Sequence, residues 1–191
     1  MAATYAVHRY LGVSPGSANT ITNCRLRTDD ANTSDLTNPC IIDTVKRYSY
    51  WASINLNITG TFTQVSNIRH YSAGDLNTWT LGTTGMIARG NRDSGDIGCP
   101  LGSYQQALGT VGTTGYSIAD AVNGHTYYNG QTTKTTNLNS DTSGSPALID
   151  SSLYTTNPSN TKFVVIQAVI DTDATQGVMS AKTLTFKVDE I

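Results

Sequence analysis

The chain has 191 residues and a formal net charge of -2, and Thr, Ser, Asn and Gly together make up 79 positions, 30 of them Thr. Helix formers are scarce, the only glutamate is Glu190, and basic residues form no block. This composition excludes a coiled coil, a helical bundle and an electrostatic nucleic-acid surface, and no apolar run nears the roughly 20 residues of a membrane-spanning helix.

In chain order, strands are expected at Ala3 to Leu11 and Ile21 to Arg27. Thr28 to Pro39 has only Ala31 and Leu36 as apolar residues and reads as an exposed loop, long enough to suggest a contact. From Tyr48 to Ile58 the sequence alternates. Tyr48, Tyr50, Ala52, Ile54, Leu56 and Ile58 fall on one face and Ser49, Trp51, Ser53, Asn55 and Asn57 on the other, the pattern of a half-buried strand. Further strands are expected at Gly60 to Tyr71 and Trp79 to Ile87.

Ser117 and Asp120 have capping-box spacing and Asn123-Gly124 can end a helix after Val122, so one short helix is expected there. His125 to Lys134 carries Asn129-Gly130, a type I′ hairpin signal. Thr132 to Pro158 is polar and reads as a surface excursion. Lys162 to Ile170 is apolar on both faces except at Gln167 and is placed mid-sheet. Asp171 to Lys182 then forms a hairpin connection to a last strand, Thr183 to Ile191, with Leu184, Phe186 and Val188 on one face. Together these make a single all-β domain over 1–191, an antiparallel β-sandwich or jelly roll with one short helix and long polar loops, with 1–19 as a candidate N-terminal arm.

Motifs that carry chemistry are weak. Gly12-Val-Ser14-Pro-Gly16 has the nucleophile-elbow spacing, but Pro15 lacks the N–H that would stabilise an oxyanion, and no helical period follows; a turn is expected. His8, His70 and His125 have no metal-binding spacing. In Asp171 to Gly177 the glycine is at the seventh position and Lys182 stands where a calcium loop needs its acid, so a solvated turn is expected. Carboxylates for hydrolysis would have to be a pair of aspartates facing across a cleft. Cys24, Cys40 and Cys99 are odd in number and widely spaced, which favours buried thiols over a disulfide framework, with at most one bridge. The glycosylation patterns at Asn32 and Asn57 and the irregular Thr-x-Thr pairs are read as products of composition. The ten tyrosines and two tryptophans line a core or interface, or alternatively stack on sugars. No catalytic, cofactor-binding or metal-ligating residue is assigned and no cofactor is expected. The first twenty residues carry no secretion or lipidation signature.

One ordered set of segments goes further. It runs Arg25-Leu-Arg27-Thr-Asp-Asp30, Tyr48-Ser-Tyr50-Trp51, Gly60-Thr-Phe62-Thr and Asn67-Ile-Arg69-His-Tyr71, then Phe163-Val-Val-Ile-Gln167, Ala174-Thr-Gln-Gly177 and Thr183-Leu-Thr-Phe186-Lys-Val-Asp-Glu190. This order resembles a group of small β-sandwich structural proteins of tailed bacteriophages over most of the chain from about residue 20 onward. Ser72-Ala-Gly74-Asp75 stands where that group has Asp-Gly after the tyrosine. The resemblance implies a non-enzymatic virion component, a capsid decoration or neck or tail accessory protein. Its partners would be other virion proteins and copies of itself, with no nucleic acid or membrane, and it would be made in the host cytoplasm. A carbohydrate-binding module on a phage fibre or tail is the alternative.

Overall fold

The computed structural model describes residues 2–13, 15–33, 35–177 and 179–191. In chain order its elements are β1 (Ala3–Leu11), β2 (Ser17–Thr20), β3 (Arg47–Tyr48), β4 (Ala52–Gly60), β5 (Val65–Ser72), β6 (Met86–Gly90), β7 (Gly109–Thr110) and β8 (Thr114–Gly115). There follow α1 (Thr126–Asn129), β9 (Thr135–Asn137), β10 (Ala147–Asp150), β11 (Ser159–Asn160), β12 (Val164–Ile170) and β13 (Leu184–Glu190). The protein is all-β, with one α-helical turn and three short 3-10 turns among the described residues. The larger sheet runs β2-β1-β4-β12-β6-β9, with β11 added beside β4 and β3 beside β12; a second runs β10-β5-β13, and β7 and β8 form a small hairpin. The strand pairs are antiparallel.

The alternating apolar residues of β4 and the continuous, β-branched apolar run of β12 suit these two strands to the centre of the sheet. Ala52, Ile54, Leu56 and Ile58 of β4 and Val164, Ile166, Ala168 and Ile170 of β12 turn one face of the large sheet towards the small one. There they join two clusters with Ile149 of β10, Val65 and Ile68 of β5, and Phe186 and Val188 of β13. The opposite face holds Tyr10, Trp51, Phe163 and Val165, covered by Cys99, Ala107, Ile118 and Tyr128 from the connection between β6 and β9. That connection is a third layer with little regular structure. Its close fit shows at Gly90, where a β-carbon would lie 2.2 Å from the Tyr128 ring.

The mid-sheet placement of Lys162 to Ile170 holds, and every residue of β12 is buried. β1 matches the expected Ala3 to Leu11, and β13 lies within Thr183 to Ile191. The half-buried strand at Tyr48 to Ile58 is corrected in two respects. Ser53 and Asn55 are buried as well, because the loop layer covers their face. The alternation also breaks at Ser49 to Trp51: Ser49 N donates to Ala168 O, but Tyr50 N turns away to Arg27 O, so Tyr50 and Trp51 both enter the cluster under the loop layer.

Other expectations shift for local reasons. Ile21 to Arg27 is not a strand: Ile21 N bonds Val7 O, and the chain then leaves the sheet edge. The strand expected from Gly60 begins only at Val65, and that expected at Trp79 to Ile87 becomes β6, since Gly82 at φ 93° and the Gly85 N to Gly82 O bond make a turn. The Ser117 to Val122 helix is replaced by turns, with Asp120 Oδ1 accepting from Val122 N and Asn123 N. No hairpin forms at Asn129-Gly130. Gly130 has φ −81°, and Gln105 Oε1 accepts from Thr126 N and Oγ1, starting α1 instead. Asp171 to Lys182 is not a hairpin connection either, because it crosses from the large sheet to the small one. Thr132 to Pro158 contributes β9 and β10 rather than wandering over the surface.

Gln167, the polar exception in β12, joins the layers. Its Nε2 donates to Ser49 O and Tyr116 O, both at 2.7 Å, and its Oε1 accepts from Ile118 N at 2.9 Å. Replacing Gln167 with Leu leaves two buried backbone groups, Ser49 O and Ile118 N, and the partly buried Tyr116 O without this partner. With roughly 1–3 kcal/mol for each buried group left unpaired, the expected destabilisation is at least about 2 kcal/mol, read from urea unfolding with an unchanged denaturant slope.

Candidate interaction surface

Arg27 is almost fully buried at the base of the Thr28 to Pro39 loop, and its guanidinium meets five side chains or carbonyls of that loop. Nη1 donates to Thr33 O, Thr33 Oγ1 and Asp35 Oδ1, and Nη2 donates to Asp29 Oδ2 and Thr37 Oγ1. A planar fork of donors in fixed geometry suits this task. Hydrogen bonds from Thr33 and Thr37, helped by Arg27, hold the Asp35 carboxyl well below the usual range. The loop expected to be exposed is therefore anchored at a buried base, with its outer residues in solvent.

Asp30 then ties this loop to two others. Its Oδ2 accepts from Gly12 N at 2.7 Å and from Gln106 Nε2 at 2.8 Å, while Tyr104 OH donates to Gly12 O at 3.0 Å and Gly112 N to Thr28 O at 3.1 Å. The three linked segments carry Val13, Leu36, Leu101, Leu108, Val111 and Tyr116, six of the twelve exposed large apolar side chains among the described residues. Val111, at the tip of the β7–β8 hairpin, is 62% exposed. Exposed apolar residues concentrated on loops hydrogen-bonded to one another mark a candidate contact surface. Sequence reasoning singled out the loop for its length and quoted Arg25 to Asp30 in the resemblance, but gave Arg27 and Asp30 no anchoring role; the signal is Arg27 followed by Asp29, Asp30, Thr33, Asp35 and Thr37.

The residues weighed for chemistry are dispersed. Gly12 has φ 77° and makes a turn, while Ser14, like Ser34 of the Asn32 glycosylation pattern, lies outside the described residues. Asn57 binds Asn160 within the sheet. His8 is half-buried on β1. His70 lies between the two sheets, edge-on to Phe186 at 4.9 Å, whereas His125 lies under the loop layer against Trp51 at 5.5 Å and Tyr128 at 5.0 Å, so the large sheet separates them. Burial, aided by Arg89, pushes the His70 pKa down to about 3, and burial pushes that of His125 down to about 4.

Two aspartate pairs do form. Asp96 and Asp150 share Lys162, whose Nζ is 2.6 Å from Asp96 Oδ2 and 3.4 Å from Asp150 Oδ1. Burial raises both carboxyl pKa values, but hydrogen bonds reverse this, led at Asp96 by Lys162 and at Asp150 by Tyr154, so both fall below the usual range. Asp171 and Asp173 accept from the N–H and hydroxyl groups of Thr84 and Thr83, which holds Asp171 at about 2 and lowers Asp173. Acids held ionised in this way are poor proton donors at neutral pH. Among the described residues no group of three His, Cys, Asp or Glu is placed to hold a metal ion, and the three cysteines are free thiols raised by burial. Trp51 is 2% exposed, Trp79 is half-buried, and of the tyrosines only Tyr116 is exposed.

No protein-family model, curated protein or solved structure matches this chain.

Two predictions follow from these placements. His70 and His125 are neutral in the fold but titrate near pH 6.5 when unfolded, so below pH 6.5 the unfolded chain binds more protons. Their contribution to stability is complete above pH 6.5 and is lost as pH falls towards about 4 and then about 3; the lowered aspartates add their loss below pH 3.8. Urea midpoints should decline between pH 7 and about 4.5, and replacing both histidines with Phe should flatten that decline. Removing the loop anchor with Arg27→Leu should make the Asp35–Leu36 bond readily cut by thermolysin under conditions where the native chain resists, with the cut mapped by mass spectrometry.

Proposed function

We propose that this protein is a non-enzymatic virion structural protein of a tailed bacteriophage, a capsid decoration or neck or tail accessory protein working through contacts with other virion proteins and with copies of itself. The virion assignment is supported by the resemblance of its ordered segments to phage sandwich proteins. The contact role is supported by one structural observation: six exposed large apolar side chains on three loops that Asp30 cross-links, one of them anchored at its base by Arg27. Ordered loops lose little conformational freedom on association, and each apolar side chain covered contributes roughly 25 cal/mol per Å² of area removed from water. Thr, Asn and Asp around them supply the polar rim common at such interfaces.

Mass spectrometry of purified particles should find this chain at a fixed copy number. Val111→Asp and Leu108→Asp, both at exposed positions, should leave folding intact and reduce that occupancy about tenfold or more, as at interface hot spots. Absence from the particle, or unchanged occupancy of both variants, would contradict the reading.

The carbohydrate-binding alternative has its own observation. Trp79, Asn77, Asn137 and Thr83 line a cavity of about 210 Å³ beside the β6 end of the large sheet. On this reading Trp79→Ala abolishes glycan binding and leaves particle occupancy unchanged.

A further inference from the structure

A second cavity, of about 490 Å³, opens between the two sheets where β13 passes β1. Tyr5 and Val7 of β1, Ile54 of β4, His70 of β5, and Leu184 and Phe186 of β13 line it, and the segment 20–24 passes along its side. Its size falls within the range of small-molecule sites, and its walls are mainly apolar.

Three features narrow what it can hold. No Lys, Arg, Asp or Glu lines it, so a charged ligand would lose its water without gaining a partner. His70 is 1% exposed and its Nδ1 has no hydrogen-bond partner, although buried polar atoms are nearly always paired. A neutral imidazole has one donor and one acceptor nitrogen, and a hydroxyl group can match either.

The cleft is also bounded. Glu190 fastens β13 to β1 by accepting from Ala3 N and from Tyr5 OH, each at 2.6 Å, which holds the Tyr5 ring as a wall. Beside Val7, the carbonyl that an added strand would need already accepts from Ile21 N at 2.8 Å. A compact molecule fits these bounds better than an inserted peptide strand.

We propose that this cleft binds an uncharged, mainly apolar small molecule bearing one hydroxyl group, which hydrogen-bonds the imidazole of His70. Aromatic or aliphatic walls receive the body of the ligand, and His70 reads its single polar group. The site is distinct from the contact surface on the three linked loops and does not depend on the virion reading.

The test uses the full chain, isotope-labelled, titrated with 2-naphthol and with naphthalene as the matched compound lacking the hydroxyl. Saturable shifts are expected at the amides of Val7, Ile21 and Phe186 with both, about tenfold tighter for 2-naphthol, which is the order expected of one added hydrogen bond. Only 2-naphthol should move the His70 ring nitrogen resonances, a readout that needs no variant. His70→Phe, which keeps a ring against Phe186, should bind the two compounds equally. The proposal is overturned by an absence of saturable shifts in the cleft, by equal binding of both compounds to the native chain, or by a 2-naphthol preference that survives in His70→Phe.

Discussion

The large sheet is covered on both faces, and that constraint governs the rest of the molecule. A strand with water on one side can leave polar groups to solvent, whereas β12 cannot. Polar groups beside it are paired inside the protein by partners from distant parts of the chain, although Asn55 Oδ1 has none. Asn55 Nδ2 donates to Thr161 O, Thr161 Oγ1 accepts from Leu56 N, Ser49 Oγ accepts from Ala168 N, and Gln167 binds both Ser49 and the loop layer. Apolar packing drives the layers together, and these bonds set the register in which they meet.

The same requirement explains the buried ions. Arg89 and Asp141 form an ion pair almost out of water, with Asp141 at the end of a 3-10 turn, Leu138–Ser140, and its main-chain oxygen accepting from Ser72 N. Such pairs gain little net stability after desolvation. Their effect is geometric: Arg89 ties the turn between β9 and β10 to β6, and Arg27 gathers Asp29, Thr33, Asp35 and Thr37 of its loop around one guanidinium. Thus a chain in which Thr, Ser, Asn and Gly fill 79 of 191 positions presents apolar side chains on loops joined by hydrogen bonds to buried or shared side chains.

The central and terminal strands were legible in the sequence because their signals are local. β12 is a continuous apolar run, β13 alternates, and β1 lies within the expected bounds. What was not legible depends on groups far apart in the chain. Asn129-Gly130 is a good hairpin pair, yet Gln105 reaches across to begin a helical turn there. The Tyr48 to Ile58 alternation gives no sign that Ser53 and Asn55 will be covered, since the covering layer comes from residues beyond Gly90. For the surface, the long polar loop drew attention by its length, but one apolar residue in a polar loop looks alike whether it ends buried, as Ile118 does, or exposed, as Val111 does. His70 had no spacing signal, because its place in the cleft is set by the packing of β5 against β1 and β4.

The central claim is that the loop layer and the large sheet form one cooperative unit joined through Gln167. Native-state hydrogen exchange measures this directly, because it gives an opening free energy for each amide. The expected result is that Ile118 N, bonded to Gln167, exchanges with the same opening free energy as the β12 amides and at the global unfolding limit. If Ile118 and its neighbours opened at much lower free energy while β12 stayed protected, the loop layer would be a separable cover and the claim would be wrong.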